Sequence, residues 1–314
     1  PEEDIVEAIH LALHEDIILV AYGDMLRFPV NVPRAEARSM EEARTRGADI
    51  RPIASPTEAA GIARDNPGKA VVFFAAGFET TTAQSASQQV VGIPDNLIVR
   101  LSRRLKWPPL AQLLESGTPG FDALVAPGHV ATIMGPEEWE FVVTRHGIPA
   151  AVAGFTPESL LAAMYSTLRQ LVEERRVLDN CYPEVVKPGG NRTARRQLQQ
   201  AMDITDASWR GIGTIPASGF AVNRRYQAHD ARREFPSYAD DARKRAGEMP
   251  PGCDCAQVVL GRIYPNECRL FGTACQPRHP IGPCMVSDEG ACRIWWSGGM
   301  REPVTPAPGV RASS

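Results

Sequence analysis

Long apolar runs are missing from this chain of 314 residues: no stretch approaches the ~18 residues of a membrane span, and no signal-peptide pattern is present. Charge of one sign is missing too. A net charge of −3 excludes the basic footprint of a nucleic-acid or anionic-membrane surface. No Walker loop, no G-x-G-x-x-G and no G-x-S-x-G occurs, and Gly211-x-Gly213 lacks a third glycine and runs into Pro216. A nucleotide-driven enzyme and an α/β hydrolase are thereby poorly supported. Cysteine is nearly absent outside one segment, since only Cys181 lies beyond Cys253–Cys292. The expected compartment is the cytoplasm, where structural disulfides are disfavoured.

What remains is the composition of an ordinary globular protein, 43% hydrophobic and 23% charged, long enough for two or three domains. The first two hundred residues alternate strand and helix. Ile5–Leu13 has helical spacing, and Ile17–Tyr22 is a continuous apolar run of the kind that suits a strand buried on both faces of a parallel sheet. Asp49–Ala54 is a shorter strand, and Ser55-Pro56-Thr57-Glu58 then has the capping residues of a helix start. Further strands are read at Val71–Ala76, Leu97–Leu101, Ala123–Ala126 and Ala150–Ala153, with helices near Pro109–Glu115, Pro136–Arg145 and Pro157–Arg175. This is the βαβ pattern of an open, mostly parallel sheet. The runs Val71–Thr80 and Ile148–Pro157 echo each other, each a buried strand that leaves through Gly-Phe into a turn and a helix. Either all such strands look alike, or two related α/β lobes face one cleft. From Trp209 to Gly219 glycine and proline become frequent, and 232–247 is a charged, helical stretch.

Six of the seven cysteines fall in the remaining segment, at Cys253, Cys255, Cys268, Cys275, Cys284 and Cys292. A chain of this size has core enough without disulfide staples, so thiols gathered this way point to a metal or cluster. Four thiolates suit zinc or an iron–sulfur cluster. The spacing is neither the two close pairs of a zinc ribbon nor the C-x2-C-x2-C-x3-C run of bacterial ferredoxins, and by chemistry alone both metals stay open.

Other candidates have bland readings beside them. His10 and His14 are four apart on a helix without a further ligand nearby, which describes an amphipathic face better than a metal site. His129 directly follows a strand in Ala126-Pro127-Gly128-His129-Val130, where α/β folds place functional loops, although a helix cap would serve equally. Glu79, between a buried strand and Thr80-Thr81-Thr82, either caps the next helix or serves a cleft.

Taken together, these segments resemble the hydrogenase maturation (formation) protein HypD family. The most specific stretch is Cys268-Arg-Leu-Phe-Gly-Thr-Ala-Cys275-Gln-Pro-Arg-His-Pro-Ile-Gly-Pro-Cys284-Met-Val-Ser-Asp-Glu-Gly-Ala-Cys292. Tyr22-Gly23-Asp24-Met25-Leu26-Arg27, Gly77-Phe78-Glu79-Thr80-Thr81, Pro127-Gly128-His129-Val130, Gly190-Asn191 and Trp209–Gly219 match in the same order. The resemblance implies a scaffold, not an enzyme with a diffusing small substrate. It works with the small chaperone HypC and the cyanide donor HypE, and assembles the Fe(CN)2CO centre of [NiFe]-hydrogenase. It also implies an α/β fold of two open, mostly parallel-sheet lobes (1–122 and 123–245). A small loop-rich domain (246–298) would hold a [4Fe–4S] cluster, and a disordered tail (299–314) would follow. By resemblance the ligands are Cys253, Cys268, Cys275 and Cys292, with Cys255 and Cys284 as reserves, while Glu79 and His129 are the cleft candidates.

The family also carries a Cys-Gly-Thr-His motif and a Gly-Pro-Gly-Cys-Pro-x-Cys motif ahead of the point where this chain begins. Pro1-Glu2-Glu3-Asp4-Ile5 resembles the sequence just after the second motif, so an N-terminal truncation is expected. Ser102-Arg103-Arg104 stands in place of a Ser-Ser-His-Lys-like segment. Thr156 replaces an acidic residue, and Cys181 replaces another polar one, as in a divergent member. Two rival functions accompany this reading: a stand-alone iron–sulfur electron carrier or sensor, and a zinc-stabilised interaction module.

Overall fold

The structure is a computed structural model that describes residues 2–32, 35–117, 119–245 and 249–301. The continuous apolar runs become strands because each is covered on both faces. β1 (Ile17–Tyr22), β2 (Ile50–Ile53), β3 (Ala70–Gly77) and β4 (Leu97–Arg103) form one parallel sheet in the order β2-β1-β3-β4. On one face Leu19 and Phe74 pack with Ile5 and Ile9 of helix Glu2–His14. On the other, Ile18 and Phe73 pack with Ala59 of helix Pro56–Asp65 and Ala83 of helix Glu79–Val91. The helix start read at Ser55 is present, with the Glu58 N–H donating to Ser55 Oγ at 3.3 Å. The strand order reverses between β1 and β3, so the loops after both open on one crevice.

A second parallel sheet holds β5 (Leu124–Pro127), β6 (Ala150–Ala153) and β7 (Leu178–Asn180) in that order. The echo between the two strand-Gly-Phe runs has a structural counterpart. β3 and β6 are each central in their sheet, and each leads through Gly-Phe into a helix, Glu79–Val91 or Pro157–Val172. The mixed α/β architecture with parallel sheets is thus the one the pattern predicts. β7 was not visible in it, because three half-buried residues, two of them polar, make no apolar run.

The stretch read only as rich in glycine and proline is an antiparallel hairpin, β8 (Met202–Trp209) and β9 (Gly213–Val222), with a register shift between Thr205 and Ala207. It lies along the edge of the first sheet, where the Leu105 N–H donates to the Ser218 carbonyl at 2.8 Å. Leu198, Met202 and Phe220 share a core with Val99 and Leu101, and Ala231 and Ala242 share one with Ile5 and Ile9. Residues 192–245 therefore return to the first sheet, covering the free edge of β4 that would otherwise invite strand pairing. The tail expected over 299–314 lies, from 302 on, outside the described residues.

β4 carries two buried arginines, Arg100 in mid-strand and Arg103 at its end. Arg100 is 2% exposed, and its guanidinium donates to Glu7 at 2.5 and 2.6 Å and to Asp4 Oδ1 at 2.6 Å. Asp4 Oδ2 takes the Ser102 hydroxyl at 2.7 Å, and Arg104 and Arg232 each approach Asp4 at 3.4 Å. Burial pushes the Asp4 carboxyl up, but Arg100, Arg104 and Arg232 together hold it far below the usual carboxylate range. Removing one partner of such a group strands the other charge, at about 3–5 kcal/mol. Arg100→Met is therefore expected to lower unfolding free energy by about that amount. Because the Asp4 pKa is depressed on folding, its contribution is complete above the unfolded value of 3.8 and lost as pH falls below it. Denaturant melts of Asp4→Asn should consequently show a loss of stability at pH 7 that shrinks toward pH 2, the wild type converging on the variant.

Candidate metal centre

The cysteine segment contains little regular structure, only the helices Cys255–Val259 and Ala291–Ser297 and two single 3-10 turns, Pro265–Glu267 and Pro283–Met285. Its core is the thiols themselves. Cys255, Cys268, Cys275, Cys284 and Cys292 are buried with Phe271 and Met285, and half-buried Cys253 packs against them. The sulfurs of Cys255, Cys284 and Cys292 all lie within 4.8 Å of one another. The Cys253 thiol meets Cys255 and Cys268. Cys255, a reserve in the sequence reading, thus touches both halves of the group. The structure gathers all six cysteines, and the tightest three are Cys292 and the two reserves.

Backbone donors point at the sulfurs. The N–H groups of Asp254, Ile281 and Cys284 approach Cys268, Cys275 and Cys255 at 3.5, 3.4 and 3.4 Å. At Cys268 and Cys275 such contacts pull toward thiolate, the form in which cysteine binds metal, against a larger upward push from the Cys253 thiol at Cys268 and from burial at Cys275. Gly282 has no side chain for a spatial reason: a Cβ there would lie 2.5 Å from the Cys253 sulfur and 2.6 Å from that of Cys255. The thiols hydrogen-bond one another. The contact with Cys255 pushes the Cys253 pKa up to about 12, whereas donation from Cys255 and Cys284 lowers that of Cys292. A soft metal would replace those shared protons, and the donor set fits one. Cys181 lies elsewhere, beside β6, with its N–H on the Val152 carbonyl and its own carbonyl taking the Ser159 hydroxyl.

The two cleft candidates are placed differently from each other. His129 is exposed, sits edge-on to Phe155 at 4.5 Å, and lines a cavity of about 630 Å³ with Thr57, Thr80, Asn191 and Gln197. Glu79 is fully buried, its Oε1 accepting the Lys106 N–H at 2.6 Å, so its neighbour Thr80 is what reaches that cavity. Sequence reasoning missed Glu138. Burial, then the nearby Glu79 charge, pushes its pKa up to about 8, and Oε2 of each carboxyl is buried without a hydrogen-bond partner. His10 is buried, and His14 pairs with Glu36 at 2.9 Å.

Two parallel sheets and a thiol-cored unit whose donor set suits a soft metal define an α/β protein with a candidate cysteine metal site. The comparisons with known proteins specify which. The HypD family model, described as the hydrogenase formation hypA family, matches residues 1–299, and the chain belongs to that family. It is 38% identical over 309 residues to hydrogenase maturation factor HypD2 of Bradyrhizobium diazoefficiens, covering 95% of this chain and 79% of that protein. It is 37% identical over 308 residues to hydrogenase maturation factor HypD of Rhodobacter capsulatus, covering 96% and 80%. To hydrogenase maturation factor HypD of Escherichia coli it is 34% identical over 304 residues, covering 94% and 78%. Among the described residues no helix is long and apolar enough to cross a membrane.

Gly282→Ala is expected to cut metal content by half or more while leaving the β-sheet circular dichroism unchanged, since the added methyl meets two sulfurs. Full occupancy by elemental analysis would show that those sulfurs are not ligands. The raised Glu138 pKa has the opposite sign from Asp4. The folded state keeps its proton up to about pH 8 while the unfolded chain releases it near 4.5, so stability falls as pH rises between them. Glu138→Gln should flatten that slope and stabilise the protein at pH 8 by about 1–3 kcal/mol, the range for relieving an unsatisfied buried polar group. Chemical denaturation at several pH values reads both.

Proposed function

We propose that this chain is a redox scaffold in the assembly of the Fe(CN)2CO centre of [NiFe]-hydrogenase, acting in the cytoplasm with a HypC-like chaperone and a HypE-like cyanide donor. The observation that carries this reading is the packing of six thiols into one buried group that accepts backbone hydrogen bonds, in a chain of the HypD family. Four thiolates of that group hold a [4Fe–4S] cluster, with Cys253, Cys268, Cys275 and Cys292 as the ligands and Cys255 and Cys284 supporting them. When bound, the cluster supplies electrons one at a time.

The protein's own residues do the rest. Backbone donors bias the sulfurs toward thiolate, and Phe271, Met285 and Trp296 exclude water around them. The cavity beside His129 receives cargo or partner, because it opens at the carboxyl end of β5, where α/β sheets bind ligands. Glu79 supports that surface from beneath by fixing the Lys106 backbone. Residues 246–298 serve as the cluster unit. A zinc-held module is the second reading, favoured by three sulfurs lying within 4.8 Å of one another, close enough to share one ion.

Anaerobic purification followed by iron and sulfide analysis and EPR separates the two. About four irons per chain, lost in Cys268→Ala and Cys275→Ala and kept in Cys181→Ser, is the expected result. Stoichiometric zinc with no reducible cluster would sink the redox reading. Retention of iron in both alanine variants would sink the ligand set.

A further inference from the structure

The hairpin turn after β8 places a cation against the cysteine unit. Gly211, at φ +77°, lies so close to it that a Cβ would meet Met249 at 2.7 Å and Ala256, the residue after Cys255, at 3.1 Å. A β-branched or bulky residue would be strained in that conformation as well. The turn therefore holds the preceding residue, Arg210, at the seam between the first sheet's surroundings and the thiols. The Arg210 side chain is 7% exposed, donates to the Pro29 carbonyl and to Glu2 Oε1, each at 2.9 Å, and leaves its buried Nε without a hydrogen-bond partner. With Pro250, Pro280 and Ile281 it walls a cavity of about 410 Å³. Two of those neighbours are tied to the thiols: the Pro250 carbonyl takes the Cys253 N–H, and the Ile281 N–H donates to the Cys275 sulfur.

We propose that Arg210 tunes the charge balance of the group held by the cysteines, and that Glu2, paired with the same guanidinium, opposes it. The inference rests on the reading that these cysteines hold a metal group. A thiolate-ligated centre is anionic, and reduction by one electron makes it more so. A buried cation beside it favours the electron-rich state and raises the reduction potential, as net charge around a cluster does. A carboxylate paired with that cation subtracts from the effect. Burial pushes the Arg210 pKa down, while Glu2, Cys253 and Cys255 push it up, so the guanidinium feels both sides of the seam. A purely structural ion pair would predict that loss of either partner acts alike. A tuning pair predicts opposite signs.

Redox titration of the anaerobic holoprotein, followed by EPR, compares wild type with Arg210→Lys, Arg210→Gln and Glu2→Gln. Arg210→Gln is expected to shift the reduction equilibrium about tenfold toward the oxidised form, a fall of about 59 mV for one electron. Arg210→Lys should hold the wild-type value, and Glu2→Gln, whose amide oxygen still accepts from Arg210, should move it upward. Iron content and unfolding midpoint are read first, and a variant that loses its cluster is replaced in the comparison by the conservative ones. Unchanged midpoints, or shifts of the same sign for Arg210→Gln and Glu2→Gln, would overturn the proposal. If the protein carries zinc in place of iron, the redox reading fails but the charge reading is still measured. Arg210→Gln should then lose zinc at lower chelator concentration than wild type and Glu2→Gln at higher, and equal resistance would overturn it. A wild type that retains neither metal overturns both.

Discussion

Three carboxylates on the first two turns of helix Glu2–His14 are buried, and the rest of the structure is arranged around the need to pair them. Glu2, Asp4 and Glu7 are 4%, 0% and 1% exposed. Isolated, each would be expelled or protonated. Asp4 and Glu7 share Arg100 of β4, so the helix is held to the sheet by charge as well as by Ile5 and Ile9. Arg232 and Arg104 reach Asp4 from the returning C-terminal stretch and from beyond β4. Glu2 pairs with Arg210, whose turn abuts Met249 and Ala256. One helix end thus links the first sheet, the hairpin and the cysteine unit. Hydrophobic contact is tolerant of small rotations, whereas a bidentate guanidinium pair is directional. These contacts contribute orientation more than net stability.

The parts of this arrangement that were legible in the sequence are those whose signal is local. Ile17–Tyr22 and Ala150–Ala153 are apolar on both faces because both faces are covered, and their bounds are as read. Ser55 announces its helix through neighbours three residues away. The thiol group was legible from density alone, since six cysteines in one short stretch have few other uses. The hairpin was not. β9 carries Gly213, Pro216 and Gly219 because it is an irregular strand on a sheet edge, where a missing N–H and a close backbone approach are tolerated. Arg100 carried a usable signal, a charged residue inside an apolar strand, but its partners are more than ninety residues away. No local pattern pairs such positions.

The cleft shows a similar limit. Glu79 and His129 both follow strands that end on a turn, and that is as far as periodicity reaches. Which side chain faces solvent depends on how the next helix is seated. Glu79 begins its helix with the carboxyl folded inward onto the Lys106 N–H, so Thr80 is what meets the cavity. Glu138 sits in a 3-10 turn, Pro136–Trp139, that brings a second carboxyl under the same surface. A polar residue in a loop gives no sign from sequence alone that it will be buried beside another acid.

Which cysteines act as ligands was the least legible feature, and the structure gives a physical reason. Spacing rules work when ligands come from one turn or one knuckle, where chain geometry limits the choices. Here the thiols arrive on several loops and helix starts, with Cys253 and Cys255 alone sharing one turn, and six of them converge where a tetrahedral site or a cubane needs four. The thiols hydrogen-bond one another, with Cys255 in contact with Cys253, Cys284 and Cys292. Binding a metal must break some of those contacts and release their protons, so affinity and the order of the unit are linked to pH. The unit has little apolar core beyond the sulfurs' own neighbours, so whatever binds there supplies much of its cohesion. The thiol group therefore also builds the unit around itself. A change in its charge is felt at once by Arg210, and through Glu2 by the helix that organises the first sheet.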